Sequence, residues 1–419
     1  MPLRPTSAPV QAGVQLSFEG LPEATLLAGS SHLLQLMERH FQRWPFSVSA
    51  PGEGRPHFRV RQTKRGFETR SAGGEAETFA TSAEMLCNLG IDLAEGFIRH
   101  HSDMQCLHCS AVALPSATGE RIVVFPNVNR AGKSLLAACF LRHHARIFAD
   151  DLLAVTEDGE GMAFGLPPRL RLPLPNTARH LLLALEAMPG HGDGRYHFLY
   201  AGEAVAPFGE ALPIGAIVLP RRRPAGQGGR PELCRLSPTS ALQCMAYQFQ
   251  MREGQALAVF ELARRLCEQK PLWVLDYDSP EDAAEYMARE AGRLFTMSAA
   301  GEVLCDAEFL TECDRLAMPA RSRAFPSERN LRWLRAPGTH IHENGGFAYL
   351  IPKGQGSIFG VGGIGLAVFN LLAEPLCIAE AAGLLAEVFP QTGRERLESD
   401  LSAFFRTLFE QGLIVQAPG

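Results

Sequence analysis

Pro126-Asn127-Val128-Asn129-Arg130-Ala131-Gly132-Lys133-Ser134 follows directly on the apolar run Ile122-Val123-Val124-Phe125 and leads directly into Leu135-Leu136-Ala137-Ala138-Cys139-Phe140-Leu141. That order predicts a strand, a tight turn and a helix, with Gly-Lys-Ser at the turn. A helix start presents outward-pointing N–H groups, and a lysine beside them adds a full positive charge, so the turn reads as a phosphate-binding loop. Such loops follow G-x-x-x-x-G-K-[ST]. Gly132, Lys133 and Ser134 supply its end, and Asn127 stands where the first glycine is expected. Asparagine tolerates the left-handed region better than most residues, so it can hold the turn. Arg130 adds a guanidinium that either grips phosphate or sits in solvent. The candidate nucleotide-contacting residues are therefore Asn127, Asn129, Arg130, Ala131, Gly132, Lys133 and Ser134.

Downstream, Ala145-Arg146-Ile147-Phe148-Ala149-Asp150-Asp151-Leu152-Leu153-Ala154-Val155 is strand-like but broken by two adjacent carboxylates, the first 17 residues after Lys133. That spacing leaves room for a helix and a returning strand. A carboxylate at the end of a neighbouring strand is where nucleotide-bound Mg²⁺ is held, since Mg²⁺ takes a carboxylate or two plus phosphate oxygens and water. The plainer alternative is a solvated turn; against it, two charges in an apolar segment are costly unless a cation or donor meets them. Upstream, Leu107-His108-Cys109-Ser110-Ala111-Val112-Ala113-Leu114 reads as another strand, with His108 near the phosphate side of the sheet.

His108-x-Ser110-x-Val112, a hairpin-like Pro115–Glu120, Gly132-Lys133-Ser134 and Asp150-Asp151 together resemble the catalytic core of HPr kinase/phosphorylase and its kinase-like relatives. The resemblance covers roughly residues 85–295, and Gly215–Leu219 and Pro271–Tyr277 look like its later strands. It implies an α/β fold and an ATP- and Mg²⁺-dependent kinase. Lys133 would hold the β- and γ-phosphates, and Ser134 and Asp151 the Mg²⁺. Asp150 would be the base toward the acceptor hydroxyl, with Asp151 and His108 beside it in the catalytic site. The family's loop is richer in glycine than this one, and the stretch Gly165–Leu172 carries arginines rather than the family's glutamate-bearing signature. Relatives with this core form hexamers, which implies a homo-oligomer.

Composition bounds the remaining classes. A chain of 419 residues predicts two or three domains. An apolar fraction of 46% with 20% charged residues is that of an ordinary globular protein. The net charge of −5 leaves no basic footprint for nucleic acid. No apolar run approaches the roughly 18 residues that span a bilayer, and Met1–Pro5 lacks a signal-peptide core, so no membrane partner and a cytoplasmic location are expected. The ten cysteines form no disulfide-like framework. Cys106-Leu107-His108-Cys109 is a C-x-x-C, but no second such pair occurs, and on a strand Cys109 points away from Cys106 and His108.

Residues 1–84 alternate strand-like runs (Val14–Phe18, His57–Arg61) with Gly/Pro breaks and one short helix, an α+β region without a motif. Met85, Leu86, Leu89, Leu93 and Phe97 recur at helical spacing across Ser82–His100. Arg221–Arg223 and Arg195-Tyr196-His197 are polar clusters in loops that either face solvent or meet an anionic group. Residues 296–334 read as a linker. Beyond it come two short strands around Pro352–Gly356, three helices (Gly365–Leu372, Ile378–Phe389, Arg394–Gln411) and a last strand after Gly412. This winged-helix-like layout over 335–417 resembles the PqqD-like peptide-binding domain, in the hairpin, in Phe369–Leu372 and in Ser399–Leu401 before Leu408–Ile414. The resemblance implies a peptide or small protein partner held as an extra strand on a sheet edge.

Two readings follow. One is a kinase that transfers a phosphoryl group to a peptide or protein hydroxyl in a modified-peptide pathway, with the second domain capturing the substrate. The other is a catalytically weak or inactive nucleotide-binding peptide chaperone.

Overall fold

The structure, a computed structural model, describes residues 13–52, 56–72, 74–126, 132–178, 181, 183, 187–223, 228–297, 304–305, 325–326, 330–344 and 346–418. It is mixed α/β with several sheets, and the chain divides into two compact units, Met1–Arg235 with Lys270–Cys305, and Leu236–Gln269 with Asp306–Gly419. Among the described residues no helix is long and apolar enough to cross a membrane.

The first unit holds two large sheets that share a core. Its N-terminal sheet has six strands in the order Phe46–Ser49, Val14–Phe18, Thr25–Ala28, Phe58–Thr63, Gly66–Ser71, Ala76–Phe79. Thr25–Ala28 and Phe58–Thr63 run parallel, and every other pair is antiparallel. The amphipathic helix expected over Ser82–His100 forms over those residues, with Thr81 accepting the Glu84 N–H as its cap. It buries Met85, Leu86, Leu89, Leu93 and Phe97 against this sheet and against Leu152, Ala154 and Phe164 of the next.

The central sheet has eight strands built around a hairpin, Met104–Ser116 and Gly119–Pro126. Gly119–Pro126 is followed by parallel neighbours, Ala211–Arg222 and then Leu272–Tyr277, the two strands anticipated near Gly215 and Pro271. Helices Lys133–Cys139, Pro280–Arg289 and Ala291–Leu294 pack their apolar faces with Val123, Phe125, Val218 and Trp273. The helix expected from Ser134 is thus short, tightening into a 3₁₀ turn at Phe140–His143.

On its other edge, Met104–Ser116 pairs with two strands in succession. Arg146–Ala149 meets it at Ala111–Ala113, and Leu152–Thr156 meets it at Met104–His108. The single strand expected over 145–155 is therefore two, and the break between them is the Asp150-Asp151 pair. Asp151 turns the chain with φ of 80°, the left-handed region that aspartate tolerates among the few non-glycine residues. His108 lies within a thirteen-residue strand and not at its end. A small three-stranded sheet, Arg169–Arg171, Tyr196–Leu199 and Gly190–Gly192, completes the first unit.

The second unit combines helices Pro238–Met245 and Ala256–Gln269 with the last third of the chain. Those two helices fall inside 85–295, the interval expected as one nucleotide domain, yet they pack with the C-terminal elements. An antiparallel sheet of three strands, His340–Asn344, Phe347–Ile351 and Phe359–Gly362, stands where a two-stranded hairpin is expected. Helices Gly363–Leu371, Ile378–Val388 and Arg394–Glu410 follow within two residues of the expected bounds. Ile414–Gln416 closes back on Trp333–Arg335, a strand that crosses the end of the expected linker. Phe369, Leu372, Phe405, Leu408 and Trp333 form its core.

Candidate functional site

The break between the two strands at Asp150-Asp151 fixes the site. Register puts Leu152 opposite His108 and Ala149 opposite Ala111, so the two aspartates lie across from Cys109 and Ser110. The Cys109 N–H donates to the Asp151 carbonyl at 3.2 Å and pins the turn.

The two carboxylates have different surroundings. Asp150 is buried beneath the site and accepts from Ser110 Oγ at 2.7 Å, from the Arg169 backbone N–H at 2.7 Å and from the Ser134 side chain. Burial, and then the charge of Asp151, push its carboxyl above the usual carboxylate range. Asp151 faces outward. Its Oδ1 is 3.8 Å from His108 Nε2, and its Oδ2 takes the Arg169 guanidinium at 2.5 Å. Burial raises Asp151 too, but nearby His108 and the charges of Arg169 and Lys133 outweigh it and hold the carboxyl below its ordinary value. Of the pair, the outward carboxyl is the more acidic.

Gly132 starts the neighbouring helix with φ of 87°, and a Cβ placed on it would lie 2.7 Å from Tyr277 Oη. A side chain there is excluded both by conformation and by space. Lys133 is 6% exposed. Gly132, Lys133, Ser134 and Leu135 form one side of a cavity of about 480 Å³, whose lining also includes His108, Asp151, Arg169, Arg171, Leu174 and Tyr196. The structure thus brings together Gly132, Lys133, Ser134, Asp151 and His108 around one cavity, with Asp150 behind it. Asn127, Asn129, Arg130 and Ala131 lie outside the described residues.

Three participants carry no expected role in the sequence. Ser110 is fully buried and holds Asp150. Arg169 reaches Asp151, Asp150 and, through its other terminal nitrogen, Cys87 Sγ. Tyr196 lies beneath the guanidinium groups of Arg169, Arg171 and Arg195, 5.0, 5.9 and 4.9 Å from its ring centre. The signal for Arg169 and Tyr196 was their polarity in otherwise unassigned stretches, but three- and four-residue strands carry too little periodicity to show which way they face.

Asp151 and Ser134 are oxygen donors of the kind that Mg²⁺ takes. One outward carboxylate and one hydroxyl, beside room for phosphate and water, are what that ion takes. Among the described residues no group of three or more His, Cys, Asp or Glu side chains converges as a metal site, so Cys106, His108 and Cys109 do not form one.

The second unit carries its own hollow, about 630 Å³, lined by Ile378, Ala379, Glu395, Glu398, Ser399, Ser402 and Arg406 among others. Strands His340–Asn344 and Phe359–Gly362 each pair on one side only among the described residues, leaving two sheet edges. No curated protein matches the chain. The family model described as coenzyme PQQ synthesis protein D (PqqD) matches residues 348–414, the span from the middle strand of this sheet to the closing strand, and a PqqD domain therefore occupies that part of the chain.

Proposed function

We propose that this chain is an ATP- and Mg²⁺-dependent phosphotransferase, related to HPr kinase, that acts on a hydroxyl of a peptide or small protein brought to it by the PqqD domain. One observation carries the reading: Lys133, Ser134, Asp151 and His108 line a single cavity while buried Asp150 holds Ser134 from behind. Phosphoryl transfer asks little covalent chemistry of a protein. It asks for positioning and for charge opposite the transferring group.

Lys133 meets the phosphate tail as a point charge. Asp150, by accepting from the Ser134 hydroxyl, turns that oxygen's lone pairs toward the cavity. Mg²⁺ held by Ser134 and a phosphate oxygen would neutralise developing charge. Asp151, beside His108 on the cavity wall, is the carboxyl that faces the acceptor, so we assign it the proton-accepting role and give Asp150 the positioning of Ser134. The base role that the resemblance implies for Asp150 thus passes to Asp151. A peptide adds to a free edge of the second unit's sheet through backbone hydrogen bonds.

The test is thermal unfolding with Mg²⁺ and ATP. A ligand at a hundred times its dissociation constant stabilises by roughly 2.7 kcal/mol. That gain is expected in the wild type and lost in Lys133→Ala. Transfer of labelled γ-phosphate to peptides, lost in Asp151→Asn with ATP stabilisation kept, separates the enzyme from a nucleotide-binding chaperone. Stabilisation by ATP with no transfer to any peptide would favour the chaperone, and no stabilisation at all would end both nucleotide readings.

A further inference from the structure

One arginine on the cavity wall, Arg171, has no carboxylate beside it among the described residues. Three cations, Lys133, Arg169 and Arg171, line the cavity against one carboxylate, Asp151. Arg169 is committed to Asp151 by a direct ion pair. Arg171 has no carboxylate partner among the described residues, and its recorded contact is the Tyr196 ring. It stands on the same face of its short strand as Arg169, directly across from Tyr196. Arg195 crowds the same ring and is met by Glu84 at 3.6 Å, outside the cavity. Like charges gathered on one ring repel one another unless an anion joins them.

Arg171 and Lys133 belong to different walls, one on the small sheet and one at the helix start. We propose that Arg171, backed by Tyr196, forms a second anion subsite that holds a negatively charged group of the phosphoryl acceptor beside its hydroxyl. The inference rests on the phosphotransferase reading and adds the class of acceptor: a hydroxyl flanked by a carboxylate or a phosphate. The guanidinium takes either in a forked pair of hydrogen bonds, and the ring fixes its plane. Leu170, Leu174 and Pro175 make the rest of that wall apolar, while Arg171 itself is exposed and so open to an incoming anion.

Calorimetric titration of the full chain tests this in two stages. AMP-PNP with Mg²⁺ first fills the donor side, its terminal phosphate included, and inorganic phosphate is then titrated as the probe anion. The loaded wild type is expected to bind phosphate. Arg171→Gln should weaken that binding about tenfold or more, since a hydrogen bond to a charged group is worth at least that factor. It should leave AMP-PNP within about twofold, and Arg171→Lys should keep most of the phosphate affinity. Phosphate binding that is absent from the loaded wild type, or unchanged in Arg171→Gln, overturns the proposal. AMP-PNP weakened as strongly as phosphate also overturns it, because Arg171 then belongs to the donor. If AMP-PNP does not bind the wild type, the phosphotransferase reading itself falls, an outcome visible before the second stage begins. Displacement of phosphate by acetyl-Glu-Ser-Glu-amide and not by its glutamine analogue identifies a carboxylate neighbour. Displacement by O-phosphoserine alone identifies a phosphate neighbour, and displacement by neither overturns the assignment to the acceptor.

Discussion

Adjacent aspartates with opposite shifts show how surroundings divide labour between identical side chains: burial, then the Asp151 charge, raises Asp150, while at Asp151 burial is outweighed by His108, Arg169 and Lys133. The left-handed backbone at Asp151 makes that division, since it flips the second side chain away from the first. His40 is a second buried titratable residue, and it acts on stability. It is enclosed by Phe41, Phe198 and Tyr200, its Nδ1 has no partner, and burial, with the charge of His191, lowers its pKa to about 3. A base with a depressed folded pKa is neutral in the fold and takes up a proton on unfolding. Its stabilisation is therefore complete above the unfolded value of 6.5 and is lost as pH falls toward 3. By pH 4 the loss is on the order of 3 kcal/mol. Urea midpoints measured from pH 7 to pH 4 should fall less steeply in His40→Leu than in the wild type. Parallel curves would show that His40 stays charged, or free to charge, in the fold.

Helix Ser82–His100 joins the two sheets of the first unit, and one residue ties its start to the site. Thr81 accepts the Glu84 N–H at 3.1 Å and donates to Asp193 Oδ2 at 2.6 Å, on the hairpin that carries Tyr196. Asp193 in turn accepts the Arg195 and Tyr196 N–H groups at 2.7 Å. Thr81→Ala should cost about 1 kcal/mol for the cap alone. Loss of the Asp193 bond adds to it, whereas Thr81→Ser should cost a few tenths; chemical denaturation measures both, and equal losses would remove the cap from the account. This helix was legible in the sequence because nineteen residues give the 3.6-residue period five turns to declare itself. The last three helices were legible for the same reason, and the strand ending at Pro126 and the helix starting at Lys133 from the residue types at their ends. The Asp150-Asp151 break was visible as two charges in an apolar run, but their opposite directions depend on one positive φ that spacing does not encode. Arg169, Arg171 and Tyr196 stayed hidden because long-range pairing between very short strands, not local pattern, brings them to the cavity. His340–Asn344 escaped as well: all its residues but exposed Glu343 are half-buried, without the alternation that marks a strand with one wet face.

At the scale of the whole molecule, the chain leaves its first unit after Arg235, contributes two helices to the second, and returns at Lys270 to lay down Leu272–Tyr277. The PqqD match covers 348–414, yet the unit that contains it also uses residues about a hundred positions upstream. Phe260, fully buried on Ala256–Gln269, packs against Tyr349 at 5.0 Å and His342 at 5.2 Å, on the first two strands of the PqqD-bearing sheet. Asn344 donates to Thr239 at 3.1 Å, and a Cβ on Gly360 would meet Tyr247 Oη at 2.6 Å, so all three strands have partners in this insertion. Ala348, Leu350 and Val361 also pack with the C-terminal helices, so the inserted pair adds a second apolar partner to strands too short to stand alone. Phe260→Ala should therefore destabilise the second unit by about 3–5 kcal/mol, the usual range for emptying a buried phenylalanine site. Hydrogen exchange read peptide by peptide makes the expectation local: amides of Phe347–Ile351 and Phe359–Gly362 should lose protection, while those of Gly119–Pro126 in the first unit should hold theirs. Protection unchanged over Phe347–Ile351 would mean that the PqqD domain folds without the inserted helices, and that their place in this unit is one of proximity only.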